Sequence, residues 1–152
     1  MKMSLRSLRT LRGLGRHGRH GSTFASLNGV PTLAALLKCS IWDVTFQRGD
    51  GVFEAVRVVK DRDGLPAPRT VGLHLDRLQR SAAALELPLP SRDQLEAWLR
   101  DAARNVGEGG YVRLMVTCGG GSQGYGHHLA DLDAPPNTFC VWQPISVDDA
   151  KT

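Results

Sequence analysis

At 152 residues the chain has room for one domain with its own core, and 41% hydrophobic against 22% charged residues is ordinary for a soluble protein. The formal charge of +4 invites a nucleic-acid partner, but seven of the nineteen basic residues precede the first acid, Asp43, leaving twelve against fifteen acids from there on; the body is mildly acidic and the excess belongs to a tail. No apolar run approaches the ~20 residues of a membrane-spanning helix, and Cys39, Cys118 and Cys140, widely spaced without a C-x-x-C pair, argue against a disulfide framework or zinc site and suit an intracellular compartment.

The tail, residues 1–26, contains no Asp or Glu and sets Leu5, Leu8 and Leu11 among arginines in a pattern that can form a basic amphipathic helix. This is the composition of a mitochondrial or plastid transit peptide, the alternative being a disordered basic tail on a cytoplasmic protein; a secretory signal would need an unbroken apolar stretch. After it, Asn28-Gly29 followed by Pro31 marks a turn that ends a short first strand, and the Ala/Leu-rich run Thr32 to Leu37 is expected to form one or two helical turns.

Gly49-Asp50-Gly51 leads into Val52 to Lys60, a β-branched run with Val and Phe on both faces, expected to be a strand buried along most of its length and central to a sheet. Asp61 to Pro68 has the Asp-Gly and prolines of a surface turn. His74 to Leu85 repeats Leu75, Leu78, Ala82 and Leu85 along one side of a helix, closed by Pro88 and Pro90. Ser91 with Gln94 forms a capping-box pair opening a second helix to about Val106, with Leu95, Trp98, Leu99 and Ala102 as its apolar stripe and Gly107 as its stop. Tyr111 to Cys118 and Asn137 to Gln143 are strands, separated by a glycine-rich loop beginning at Gly119. The pattern is α+β: a mostly antiparallel sheet with two helices on one face.

Three further matches carry little chemistry. Gly119, Gly121 and Gly124 spell a dinucleotide motif without the following helix or a properly spaced acid, Arg48-Gly49-Asp50 is an adhesion tripeptide out of place, and His127-His128 with Asp131 and Asp133 is a solvated loop, so no metal is expected.

The strand motif Gly49 to Glu54, followed by His74-Leu75-Asp76-Arg77-Leu78 and Ser81-Ala82, resembles the opening of the class IV aminotransferases, the fold-type IV pyridoxal-phosphate enzymes. That family includes branched-chain and D-amino acid aminotransferases and 4-amino-4-deoxychorismate lyase. The resemblance covers residues 27–143 as the small N-terminal domain, with 144–152 as the start of an interdomain linker. It implies a complete enzyme, a homodimer, that moves an amino group from an amino acid to a 2-oxo acid through pyridoxal phosphate, with no nucleic acid or membrane partner.

Residue by residue, the resemblance places Arg77 on the cofactor phosphate, a role suited to a guanidinium's planar donors. Without the flanking motif Arg77 would be read as a surface arginine paired with Asp76 or Glu54. Phe53 takes the position of an aromatic lining the substrate pocket, and Arg113, in Tyr111-Val112-Arg113, that of an arginine reaching toward a substrate carboxylate; ordinary packing is the alternative for Phe53. His74 is expected to make a structural hydrogen bond. Thr117-Cys118-Gly119 lacks the arginine that D-amino acid aminotransferases and the lyases carry there, while the glycines that follow look more like the lyase branch, so both reactions stay open.

The family's Schiff-base lysine belongs to a second, larger domain, and after Lys60 this chain has only Lys151, before that position. The expectation is an N-terminal half without a catalytic residue of its own. One bidentate arginine contact is worth about 1.5–3 kcal/mol, against about 8 kcal/mol for micromolar affinity, so weak or absent cofactor binding is expected of the chain by itself. A third reading is a non-catalytic pairing module exposing Phe53, Trp98 and Trp142.

Overall fold

The computed structural model describes residues 24–106, 109–120 and 135–143. The basic tail, the helix stop at Gly107, the paired histidines and the linker lie outside the described residues.

The chain opens with a hairpin of β1 (Phe24–Leu27) and β2 (Val30–Leu33), followed by a 3-10 turn over Ala34–Leu36. A short helix α1 (Val44–Arg48) leads into β3 (Gly51–Lys60) and β4 (Pro66–Pro68). Helices α2 (Val71–Ala84) and α3 (Arg92–Val106) then precede β5 (Gly110–Thr117) and β6 (Thr138–Gln143). The strands form one sheet in the order β2-β1-β6-β5-β3-β4, and every pairing is antiparallel. The expected α+β architecture is present.

Helices α2 and α3 cover one sheet face. Leu75, Leu78 and Ala82 of α2 and Leu95, Leu99 and Ala103 of α3 are buried against Val52, Val56 and Val58 of β3, Val112, Leu114 and Val116 of β5, and Cys140 of β6. Full burial of one such aliphatic side chain is worth about 1.5–3 kcal/mol, so this layer supplies most of the drive to fold. The capping box forms as expected: Ser91 N–H donates to Gln94 Oε1 at 3.2 Å, and Gln94 N–H donates to Ser91 Oγ at 3.3 Å.

Several expectations are corrected. Val30–Leu33, overlapping the start of the run expected to be helical, is an edge strand, where Pro31 needs no partner for a missing N–H. Pro66–Pro68, expected within a turn, forms the opposite edge strand. Strand β3 is second from that edge rather than central, and it is buried on one face only: Val52, Glu54, Val56 and Val58 are covered while Phe53, Ala55 and Arg57 are exposed. Trp98 and Trp142 are partly buried against the core rather than displayed. Trp98 is held there by the first hairpin, since a Cβ on Gly29, at φ +79, would lie 2.2 Å from its indole nitrogen. The exposed large apolar residues include Leu36, Ile41, Trp42, Phe46 and Phe53, all on the segment that ends in β3.

Helix α1 was not expected. Its five residues are too few to show a helical period, but its ends carry standard caps: Asp43 accepts from Thr45 N–H at 2.9 Å, and Gly49 closes it with φ 80.

Candidate functional site

Adjacent residues of β3 face opposite ways, so Glu54 points under the helices while Phe53 points away from them. Glu54 is 2% exposed and held from α2 by two side chains one helical turn apart. Arg77 donates from Nε to Oε1 at 2.6 Å and from Nη2 to Oε2 at 2.5 Å, and His74 Nδ1 lies 2.8 Å from Oε2. Burial alone would raise the Glu54 pKa, but the hydrogen bonds and charges of Arg77 and His74 outweigh it and hold the carboxyl below the ordinary glutamate value. The same pair raises the pKa of Arg77. His74 makes the structural bond expected of it.

Of the two pairings open to Arg77, the structure selects Glu54; Asp76 binds Arg92 instead, at 2.7 Å. Yet the Arg77 side chain remains 62% exposed. A guanidinium has five N–H groups and Glu54 takes two, on the Nε–Nη2 edge. The Nη1–Nη2 edge has no protein acceptor among the described residues.

On the open face, Phe53 and Arg113 meet diagonally across β3 and β5, with the guanidinium carbon 5.2 Å from the ring centroid. Arg113 Nε is buried without a hydrogen-bond partner among the described residues. Next to this pair, a cleft of about 500 Å³ is walled by Phe53, Met115, Phe139 and Val141 of the sheet and by Leu37 and Phe46 opposite. The sheet wall follows from register, since Phe53, Met115 and Phe139 are directly paired in neighbouring strands and therefore share a face.

The cleft's rim is fixed by hydrogen bonds between distant parts of the chain. Thr45 Oγ1 donates to the Asp50 carbonyl at 2.7 Å and accepts from Cys118 N–H at 2.8 Å. Val44 N–H donates to the Gly119 carbonyl at 2.9 Å, and the Cys118 thiol bonds to the Asp50 carbonyl. Gly51 is required by this closeness, because a Cβ there would lie 2.4 Å from Thr45 Cγ2. The glycines of the Gly49-Asp50-Gly51 motif thus end one helix and admit it against the strand that follows.

The structure brings Phe53 and Arg113 together and sets Arg77 on the other side of the sheet, through Glu54. Cys39 and Thr45, which also line the cleft, were not read as site residues from sequence; the Asp-x-Thr cap at Asp43 was the available signal for Thr45. Among the described residues no group of three or more His, Cys, Asp and Glu could hold a metal, and no helix is long and apolar enough to cross a membrane.

A sequence model of the amino-transferase class IV family matches residues 51–148, from the start of β3 to beyond the last strand. The chain belongs to the class IV aminotransferases. It is 32% identical over 110 residues to a putative branched-chain-amino-acid aminotransferase of Methanocaldococcus jannaschii, a match covering 71% of this chain and 35% of that protein. Its fold matches the branched-chain aminotransferase of the thermophilic archaeon Thermoproteus uzoniensis solved with norvaline, with TM-score 0.66 and 22% identity over 83% of this chain and 42% of the other. It also matches 4-amino-4-deoxychorismate lyase from Pseudomonas aeruginosa, with TM-score 0.63 and 28% identity over 79% of this chain and 39% of the other. The chain therefore spans about 35–42% of the length of these class IV relatives.

Class IV aminotransferases are pyridoxal-phosphate dependent. The donors left on Arg77 suit the phosphate of that group: a fixed cation, exposed, with one two-pronged edge still open.

Proposed function

We propose that this chain forms the small-domain wall of a pyridoxal-phosphate enzyme that transfers the α-amino group of an amino acid to a 2-oxo acid. Family membership and the cleft beside Phe53 and Arg113 support the reading; the cleft is the observation that carries it. Arg77 holds the cofactor phosphate by its Nη1–Nη2 edge. Pyridoxal phosphate supplies the covalent handle and electron-withdrawing ring that labilise bonds at the amino acid's α-carbon. Phe53 packs on the substrate side chain and excludes water from it. Arg113, whose Nε lacks a partner among the described residues, serves a carboxylate when the amino donor carries one.

The apolar wall of Phe53, Met115, Phe139 and Val141 favours a hydrocarbon side chain, in keeping with the branched-chain relatives. The residues that hold the cofactor covalently belong to the remainder of a complete enzyme. The test is the complete, cofactor-loaded protein assayed with branched-chain amino acids and 2-oxoglutarate. Transfer to the oxo acid, with KM raised by Phe53→Ala, supports the reading, and a protein that binds cofactor but transfers no amino group from any of them defeats it.

The lyase reading rests on the 28% identity to 4-amino-4-deoxychorismate lyase and on the glycine-rich run that begins at Gly119, after β5. Pyruvate release from aminodeoxychorismate, without glutamate-dependent transfer, would establish it.

A further inference from the structure

We propose that Glu54 is a positioning residue for the cofactor phosphate: its buried carboxylate turns the Arg77 guanidinium so that the Nη1–Nη2 edge faces the ligand, and His74 fixes the carboxylate in turn. The inference rests on the reading of Arg77 as the phosphate ligand and adds what sets its direction.

An arginine on a helix surface has several rotamers of similar energy, and ordering them costs side-chain entropy. A guanidinium bound by one oxygen can still swing; one bound through Nε and Nη2 to both oxygens of a single carboxylate lies in the plane of that carboxylate. The carboxylate itself cannot follow a moving ligand. It sits on β3 opposite Leu114 of β5, is 2% exposed, and receives a third contact from His74 at 2.8 Å. His74 precedes Arg77 by three residues on α2, so both reach Glu54 from the same side of the helix. Three side chains thus convert a flexible cation into one with a single open edge.

Charge alone makes the opposite forecast. Glu54 is an anion beside the cation that meets an anionic phosphate, so if it only neutralised Arg77, its removal should tighten phosphate binding. Positioning and neutralisation therefore differ in sign.

The experiment uses the complete protein, stripped of cofactor and titrated with pyridoxal phosphate by absorbance, with the 31P resonance of the bound phosphate as a second readout. Glu54→Gln keeps shape and one acceptor oxygen but loses the charge-assisted fork. It should raise Kd by roughly three- to tenfold and broaden or shift the 31P line, while adding little to Arg77→Ala in the double variant. Should Glu54→Gln fail to fold, His74→Gln, which leaves the Arg77–Glu54 fork in place, should give a smaller change of the same sign in both readouts. Unchanged or tighter binding in the folded Glu54 variant, with weakened binding in Arg77→Ala, overturns positioning and leaves the phosphate reading standing. If Arg77→Ala leaves both Kd and the 31P line untouched, the phosphate reading itself is wrong and Glu54 is structural.

Discussion

Phe53 stacks on Arg113 across β3 and β5, 5.2 Å from guanidinium carbon to ring centroid, while its chain neighbour Glu54 grips Arg77 on the other face of the sheet. One strand thus presents an aromatic to the cleft and a carboxylate to the helices. The cation–π contact at this partly exposed pair is worth about 0.5–1 kcal/mol, whereas a buried donor without a partner costs about 1–3 kcal/mol. Arg113→Met should therefore leave stability unchanged or raise it by about 1 kcal/mol in urea denaturation, while reducing use of a dicarboxylic amino donor by the complete enzyme. A loss of more than 2 kcal/mol would show that Arg113 has a structural partner.

Acid should weaken the fold partly through Glu54. Burial works to raise its pKa, but the bonds and charges of Arg77 and His74 prevail and lower it beneath the unfolded value of about 4.3. In the acid range the unfolded chain then binds this proton more readily than the folded one, so the contribution is complete above pH ~4.3 and disappears as pH falls through the folded value. Glu54→Gln should cost about 1–3 kcal/mol at pH 7, with the gap from wild type closing on acidification. Parallel curves of unfolding free energy against pH for the two proteins would remove Glu54 from acid sensitivity.

Gly51→Ala tests the rim. The added Cβ meets Thr45, whose hydroxyl is held by the Asp50 carbonyl and the Cys118 amide and so cannot turn away without breaking both bonds. Destabilisation of about 2–4 kcal/mol is expected from overpacking plus a lost hydrogen bond. Gly64→Ala, at φ +74 with open space around its Cβ position, should cost only about 1 kcal/mol. Equal costs at the two sites would mean that the rim relaxes freely.

The three thiols should label in a defined order. Cys140 is buried and its pKa is pushed up to about 11, chiefly by desolvation. Cys118 is buried and raised as well, again first by desolvation. Cys39 is exposed, yet partial desolvation and the Asp43 carboxylate, 3.4 Å from its sulfur, raise its pKa too. With a disulfide reagent at pH 8, one thiol should react, more slowly than free cysteine, and the other two only on unfolding. Fast reaction of two or more in the native protein would contradict this packing.

We also propose that residues 1–26 direct the protein to a mitochondrion or plastid. Fused ahead of a fluorescent reporter they should carry it into one of these organelles, and Arg6→Glu with Arg9→Glu should strand it in the cytosol. A reporter that stays cytosolic with the unaltered tail ends the proposal.

Most of the helical layer was legible because its signals are local. Ser91 and Gln94 announce a helix start, and Leu75, Leu78, Leu95 and Leu99 keep a helical period long enough to count. The elements that escaped are short: Val44–Arg48 and Pro66–Pro68 contain too few residues for any period to register. The misjudged burial of β3 has another cause. Phe53 is apolar because it borders a cleft, and a cleft-lining residue has the composition of a core one; only the register with Met115 and Phe139 distinguishes them. For Arg77, the sequence offered both Asp76 and Glu54 as acids. The choice depended on α2 lying over the face of β3 that carries Glu54, a tertiary fact.

The sheet order has a consequence for how the protein is made. Among the described residues the first hairpin, β1 with β2, joins the sheet through β6: the Asn28 amide donates to the Thr138 carbonyl and the Asn28 side chain accepts from the Thr138 amide, both at 2.8 Å, across 110 positions of chain. A two-stranded hairpin is marginal by itself, so on the ribosome it must wait, with one edge unpaired, until nearly every described residue has emerged. Strands β3 to β5 and the two long helices can settle first, being contiguous in sequence. The last strand then acts as the closing stitch, and a nascent chain halted before residue 138 should carry a folded middle and a first hairpin that rests on Trp98 of α3 without its strand partner in the sheet.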